Sequence, residues 1–268
     1  MRVWVSGTSG KLGGEVARQL REQGHEVSEA DIRSPHPVNL LDDAAVANSL
    51  KGCEAIIHCA GIPSPEGQQP AHLVHSNVMS TFNALEAAWR AGIRTAVLAS
   101  SGSIYGTAWA PEPLQHAYLP VDEDAPLRYR DPYALTKDVL ERTGAMYARR
   151  GMTVTALRFH WILTVDEVRR LAERPADGGE AKNLWGYVEL SDAARACLLA
   201  LTPNPGPNRF QPLLIAAADT RVHEPIEELL DRYCPEVERR RPLTGSQGAF
   251  DCSRAAEVIG WRAETTWR

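Results

Sequence analysis

A short apolar strand that runs directly into a glycine loop constrains this chain more than any other feature. Val3-Trp4-Val5-Ser6 is followed by Gly7-Thr8-Ser9-Gly10-Lys11-Leu12-Gly13, with glycines three apart. Leu12, Val16 and Leu20 then recur at helical spacing, and Gly24 is a stop signal. A strand–loop–helix unit of this kind opens a parallel α/β sheet. It also makes an anion site, because glycine lets the backbone approach a pyrophosphate while the first N–H groups of the helix point at its charge. Taken alone, the same glycines serve an ordinary tight turn, so the downstream residues decide.

His25–Asp31 reads as a second strand with Asp31 at its end. That is where a dinucleotide fold places a carboxylate to bind the adenosine ribose hydroxyls. A carboxylate there repels a 2′-phosphate and favours NAD over NADP. Arg33 argues the other way, since a guanidinium pairs with that phosphate or stacks on adenine. Ser34-Pro35-His36-Pro37 is a turn, and a short helix follows with Val46 and Leu50. Ala55–Gly61 is a nearly continuous apolar run ending in small residues, as in a buried parallel strand. Residues 72–91 carry Val78, Phe82, Leu85 and Trp89 on one helical face. Thr95–Ala99 is a further strand, running into Ser100-Ser101-Gly102-Ser103-Ile104-Tyr105-Gly106. The alternation predicts a Rossmann-like, doubly wound parallel sheet with sites at the C-terminal ends of its strands.

Residues 107–132 are proline-rich and aperiodic, so they read as a long loop that stops at the helix-start signal Asp131-Pro132. Tyr133 and Lys137 then lie four apart, as neighbours on one face. Thr153–Leu157 is another strand, leading to Arg158-Phe159-His160-Trp161. From about 162 to 184 the pattern weakens, and 173–179 reads as a mobile surface loop of the kind that serves as a lid. Structure resumes at Trp185–Leu190, and Ser191-Asp192 starts a helix. Pro203–Pro207 is a hard turn before a strand near Pro212–Ala216, and short helices near 225–232 and 251–259 close the chain.

A serine at a strand end, a tyrosine and lysine one helical turn apart, and a dinucleotide loop together make a proton-and-hydride apparatus. A phenol with a pKa near ~10 is a poor base at neutral pH. An adjacent ammonium favours the phenolate, and the same lysine can hold ribose hydroxyls. The serine positions a substrate oxygen, and the tyrosine exchanges a proton as hydride moves to or from nicotinamide. Alone, Tyr-x-x-x-Lys is more often a core aromatic and a solvated lysine; the glycine loop, Asp31 and Ser101 reverse that balance.

The net charge of −5 gives no general attraction to nucleic acid or anionic membrane. Arg239-Arg240-Arg241 is read as a solvated or salt-bridged surface. No run is long enough to span a bilayer, and no signal peptide is expected, since the first residues already read as a core strand. Five cysteines without CxxC spacing fit reduced thiols in a cytoplasmic protein. His72 and His75 lack a completing ligand, so no metal is expected.

Taken jointly, these pieces resemble the extended short-chain dehydrogenase/reductase family, also called the NAD-dependent epimerase/dehydratase family. The glycine loop is similar to GxxGxxG, His58-Cys59-Ala60-Gly61 to HxAG, and Asn77–Ala88 to NVxGTxNxLEAA. Ser100–Gly106 resembles SSxxVYG, Pro132–Lys137 resembles PYxxSK, and Tyr187–Ala196 resembles YVxVxDxARA. The resemblance implies Ser101, Tyr133 and Lys137 as the catalytic triad. It implies a cofactor site made by Gly7, Ser9, Gly10, Lys11, Leu12, Gly13, Asp31, Cys59, Ala60, Gly61, Asn77, Ala99, Ser100 and Phe159. Two departures stand out. Asn39-Leu40 replaces the usual acid that binds the adenine amino group, though the Asn39 amide oxygen can accept the same bond. Met79-Ser80-Thr81 lacks the usual glycine before threonine.

Within the family, Gly102 and Ser103 stand where dehydratases carry an Asp-Glu pair and uronate dehydrogenases an Asn-His pair. The closing Gly260-Trp261-Arg262 resembles the uronate dehydrogenase ending. The expected activity is NAD-dependent oxidation or reduction of a secondary alcohol or ketone in a carbohydrate-like molecule. The alternatives are a sugar-nucleotide epimerase with tightly held NAD and a non-catalytic dinucleotide sensor. Substrate-lining candidates are Ser101, Ser103, Tyr105, His160 and Trp161, with an arginine from Arg169, Arg170 or Arg174. The expected division is a dinucleotide-binding domain over 1–160 and a small substrate lobe over 161–268, of which about 185–216 return to the sheet. By the same resemblance, the helices bearing Val78–Trp89 and Tyr133–Lys137 form a homodimer surface.

Overall fold

The computed structural model describes residues 1–112, 114–203 and 209–268; apart from Pro203, the expected turn at Pro203–Pro207 lies outside them. The chain starts with β1 (Arg2–Ser6), α1 (Lys11–Glu22) and β2 (Glu26–Ala30), followed by α2 (Asp43–Ser49) and β3 (Ala55–His58). Next come α3 (Pro70–Arg90) and β4 (Thr95–Ser101), and then a 3₁₀ turn over Gly102–Tyr105. Six parallel strands form the central sheet, and its order places β1 between β2 and β3. The chain leaves β1 for one side and returns to the other, so a crevice opens over the ends of β1 and β3.

Each β1 side chain finds apolar partners because both faces of the sheet are covered. Val3 and Val5 pack on one face with Val16 and Leu20 of α1. Trp4 faces the other way, toward Val46 of α2 and Leu85 of α3. Its indole N–H donates to Ser49 Oγ at 2.8 Å, so burying it strands no donor.

Past the long loop, which holds the two-residue β5 (Tyr118–Leu119), the chain forms α4 (Pro132–Arg149) and β6 (Thr153–Phe159). Asp131 caps α4 by accepting from Ala134 N at 2.9 Å, and Pro132 sits where a missing N–H costs nothing. β6 runs two residues further than the pattern suggested, so Arg158 and Phe159 are strand residues.

The segment from 162 to 184 is more regular than its sequence. It contains β7 (Ile162–Leu163), α5 (Val165–Ala172) and a 3₁₀ stretch over Gly178–Asn183. A reciprocal capping box between Thr164 and Glu167 starts α5, and Val168 and Ala172 are its buried face. Two turns of helix are too short for periodicity to reveal.

β8 (Val188–Glu189) leads into α6 (Leu190–Leu199), which packs against α1. β9 (Phe210–Ile215) adds the sixth strand beside β6. The chain closes with α7 (Ile226–Tyr233), β10 (Glu238–Arg239) and α8 (Ser253–Ile259). β10 pairs with β5, tying the proline-rich loop to the C-terminal region. Among the described residues no helix is long and apolar enough to cross a membrane.

Candidate active site

A cleft of about 890 Å³ lies over the C-terminal ends of the strands and holds both the glycine loop and the Tyr133 helix. At its glycine-loop end, Gly7 turns with φ +74°, and a Cβ there would sit 2.8 Å from Ala60 N. A Cβ on Gly13 would sit 2.6 Å from the Gly7 carbonyl carbon. Both glycines are therefore required by backbone packing. Gly10 is different: a Cβ there meets only Gly7 O, at 3.2 Å, and otherwise projects into open space. Beside that bare backbone, the N–H groups of Lys11, Leu12 and Gly13 start α1 with no acceptor inside the helix. These residues fit a pyrophosphate.

Asp31 lies just past β2 and is buried. Its Oδ2 accepts from Ser9 N at 3.1 Å and its Oδ1 from Arg33 N at 2.8 Å. Burial alone would raise this carboxyl, but the two backbone donors outweigh it and hold the acid below its usual range. Arg33 lines the cleft with a largely exposed side chain whose Nε is 3.8 Å from Asp31. Cys59 and Gly61 line the cleft too.

Several expected cofactor residues make bonds within the protein. Lys11 Nζ pairs with Glu167 of α5 at 2.7 Å, bridging the glycine loop to the far wall. Asn77 clamps the turn after β3, accepting from Ile62 N at 2.8 Å and donating to Ile62 O at 3.1 Å. Asn39 Oδ1 accepts from Leu41 N, and Leu40 O accepts from Asn83; neither residue lines the cleft.

At the chemical end, β4 delivers Ala99, Ser100 and Ser101, while α4 delivers Tyr133 and Lys137. Ser101 Oγ donates to Ser103 Oγ at 2.9 Å. Lys137 Nζ lies 5.6 Å from the Tyr133 ring centroid and donates to Ala99 O at 2.7 Å. Burial pushes the Tyr133 phenol up to about 12, against the Ser101 hydroxyl, and pushes Lys137 down to about 8. The Lys137 amine is thus held on the tyrosine's helix face but spends a bond on the strand.

Tyr105 is a correction. Its ring is buried beneath the strand ends, and its hydroxyl accepts from Arg158 Nη1 at 3.2 Å, so it does not line the cleft. It belongs to a network in which Arg158 and Glu141 form a two-pronged pair at 2.9 and 2.8 Å. Ser100 Oγ also donates to Glu141, at 2.7 Å. This network ties β4, β6 and α4 together directly behind Ser101 and Tyr133. No local spacing announces it, because the partners are 17 to 53 residues apart.

His160, Trp161, Ser103 and Phe159 line the cleft. The arginine beside Trp161 in the cleft is not one of the three expected. Arg169 Nε donates to Trp267 O, and Arg170 and Arg174 border a smaller depression behind Trp161. Arg221 enters instead, from the loop after β9, with its side chain only 3% exposed.

The sequence profile of the NAD dependent epimerase/dehydratase family matches residues 3–211. The chain is 28% identical over 196 residues to an L-arabinose 1-dehydrogenase (NAD(P)(+)) of Haloferax volcanii, covering 69% of this chain and 76% of that one. It is 24% identical to a UDP-glucose 4-epimerase of Corynebacterium glutamicum, covering 99% and 92%. Among solved structures it superposes on a short-chain dehydrogenase/reductase superfamily protein from Agrobacterium tumefaciens with bound NAD. The TM-score is 0.75 at 24% identity, covering 100% of this chain and 94% of that one. At that identity the likeness is one of fold. The profile match spans well over half the chain, and the chain belongs to the NAD dependent epimerase/dehydratase family.

Proposed function

We propose that this protein is an NAD-dependent oxidoreductase that oxidises a secondary alcohol of a carbohydrate-like molecule, or reduces the matching ketone. The observation that carries this is the meeting of the glycine loop, Ser101, Tyr133 and Lys137 in one cleft. NAD, when bound, supplies the hydride acceptor. Gly7, Gly10 and Gly13 with the start of α1 hold its pyrophosphate, Asp31 takes its ribose hydroxyls, and Lys137 orients the reacting half. Ser101 holds the substrate oxygen. Tyr133 Oη takes the hydroxyl proton as the substrate carbon gives up its hydride, and returns a proton to the ketone in reverse. Because burial holds the phenol high, oxidation speeds up as pH rises and Tyr133 ionises.

The Haloferax relative's named substrate, a free pentose, supports a dehydrogenase. The second reading, a sugar-nucleotide epimerase with tightly held NAD, is favoured by the near-complete coverage of the Corynebacterium epimerase. Cofactor accounting separates them. Net NADH formation in step with substrate loss indicates the dehydrogenase; interconversion without net NADH, with NAD retained through purification, indicates the epimerase. The sensor reading predicts neither, and the intact Tyr133–Lys137 pair counts against it. A larger thermal shift with NADP than with NAD would overturn the preference assigned to Asp31.

Residues 161–268, apart from about 185–216, would then form the substrate lobe. Met79 and Phe82 of α3 and Leu135 of α4 are large apolar side chains left exposed on adjacent helices, which supports a homodimer through that face. A monomeric mass by light scattering at micromolar protein would rule it out. The five cysteines are free thiols, in keeping with a cytoplasmic location.

A further inference from the structure

Lys11 begins at the pyrophosphate cradle and spends its charge on the opposite wall. Its backbone N–H is one of those that start α1, while its side chain reaches away toward β7 and α5. An ammonium has three N–H donors, and here three acceptors meet them. Glu167 Oε2 and Oε1 lie at 2.7 and 2.8 Å, and Ile162 O lies at 3.5 Å. No donor of Lys11 is left over for a phosphate. Ile162 lines the cleft, as Lys11 does, so the side chain runs along the edge of the cofactor site from the glycine loop to the wall after β6.

The wall it reaches belongs to the C-terminal part of the molecule. Val168 and Ala172 of α5 pack with Tyr187, Ala217 and Trp267. The Lys11–Glu167 pair therefore ties that part to the nucleotide-binding end of the sheet. The two side chains are 42% and 31% exposed, which puts them at the solvent rim of the cleft rather than on its floor. Glu167 is held ready for the contact. Its Oε2 also accepts from Thr164 N at 2.8 Å, the return half of the capping box that starts α5. The carboxylate is thus oriented by its own helix, and closing the pair costs it little further side-chain entropy. The Lys11 bond, with the Thr164 backbone bond behind it, holds the Glu167 carboxyl below its usual range, so both partners are charged at neutral pH.

We propose that Lys11 and Glu167 form a latch at the mouth of the pyrophosphate cradle, and that its opening sets how fast the dinucleotide leaves. Exposed ion pairs are weak and screened by salt, so the latch is worth about two- to fivefold in residence time. A dehydrogenase must release NADH in every cycle, and opening then enters its turnover time. This rests on the cofactor site of the oxidoreductase reading and names the residues that control cofactor exchange there.

The test is stopped-flow release of NADH from the full-length protein, preloaded and mixed with excess NAD, with NADH fluorescence as the signal. Glu167→Gln keeps an acceptor for Thr164 N and removes the charge; Lys11→Met keeps the stem and removes the ammonium. Each variant is expected to release NADH about two- to fivefold faster than the wild type at low salt. The double variant should be no faster than the singles, because the second change finds the latch already open. Raising NaCl to about 0.5 M should speed release from the wild type more than from the double variant. If Lys11 instead serves the pyrophosphate directly, Lys11→Met speeds release while Glu167→Gln slows it, and the latch is overturned. Wild-type rates in both single variants, or single effects that multiply in the double variant, overturn it as well. A protein that binds NADH but releases it equally fast in every form loses the latch alone. A wild type that does not bind NADH loses the cofactor site, and the oxidoreductase reading with it.

Discussion

Replacing two glycines of the same loop by alanine should produce opposite phenotypes. At Gly13, the new Cβ would be driven into the Gly7 carbonyl, with its carbon 2.6 Å away. Both contacting atoms belong to backbone fixed by the sheet, so neither can rotate aside. The start of α1 must shift by several tenths of an ångström or more, which costs about 1–3 kcal/mol as for other overpacked sites. For a chain of this size, that lowers Tm by roughly 2–10 °C. At Gly10, the backbone is extended, at φ −90° and ψ 166°, which alanine adopts freely. Its Cβ meets only Gly7 O, at 3.2 Å, so Tm should fall by no more than about 2 °C. The same methyl group fills the space a pyrophosphate needs, and NAD affinity should drop at least about tenfold, or 1.4 kcal/mol. Differential scanning fluorimetry without ligand, paired with calorimetric titration of NAD, reads both quantities. If Gly10→Ala binds NAD as the wild type does while remaining folded, the loop is an ordinary turn and the cofactor assignment loses its foundation.

Two further outcomes follow from buried charge. Glu141→Gln strands the Arg158 guanidinium in the interior and should cost about 3–5 kcal/mol in urea unfolding; a loss under about 1 kcal/mol would show that the network behind Ser101 is dispensable. His58 is enclosed between Ser6 Oγ at 2.8 Å and Thr81 Oγ1 at 3.3 Å, and burial pushes it down to about 3. Below pH ~6.5 the unfolded chain takes up a proton that folded His58 refuses. Its contribution to stability is therefore full above that pH and declines toward pH 3, by up to about 1.4 kcal/mol per unit. A pH series of urea unfolding should show His58→Asn with a slope about one proton shallower than the wild type; equal slopes would refute the neutral buried imidazole.

The parts of the site that could be read from the chain are those fixed by short spacing. Gly7, Gly10 and Gly13 sit in one turn, and Tyr133 and Lys137 sit on one helical face, so local geometry alone brings them together. Asp31 follows from the length of one helix and one strand. Long-range encounters left no such trace. Arg221 lies 41 residues from its partner Glu180 and looks no different from Arg169, Arg170 or Arg174, which proved to face elsewhere. Tyr105 follows Ser101 closely in sequence, yet the 3₁₀ turn over Gly102–Tyr105 leaves it buried beneath the strands. The short α5 carries too few turns for its apolar period to emerge, though the Thr164–Glu167 capping box was there to be found.

The central claim is that Tyr133 exchanges the proton while hydride moves to NAD. It is tested most directly by NADH formation with saturating NAD and alcohol, comparing the wild type with Tyr133→Phe, which keeps the ring and removes only the hydroxyl. The expected result is a fall in kcat of at least about 10²-fold, with NAD affinity by calorimetry within a factor of about three of the wild type. A Tyr133→Phe protein that forms NADH at the wild-type rate would contradict the account.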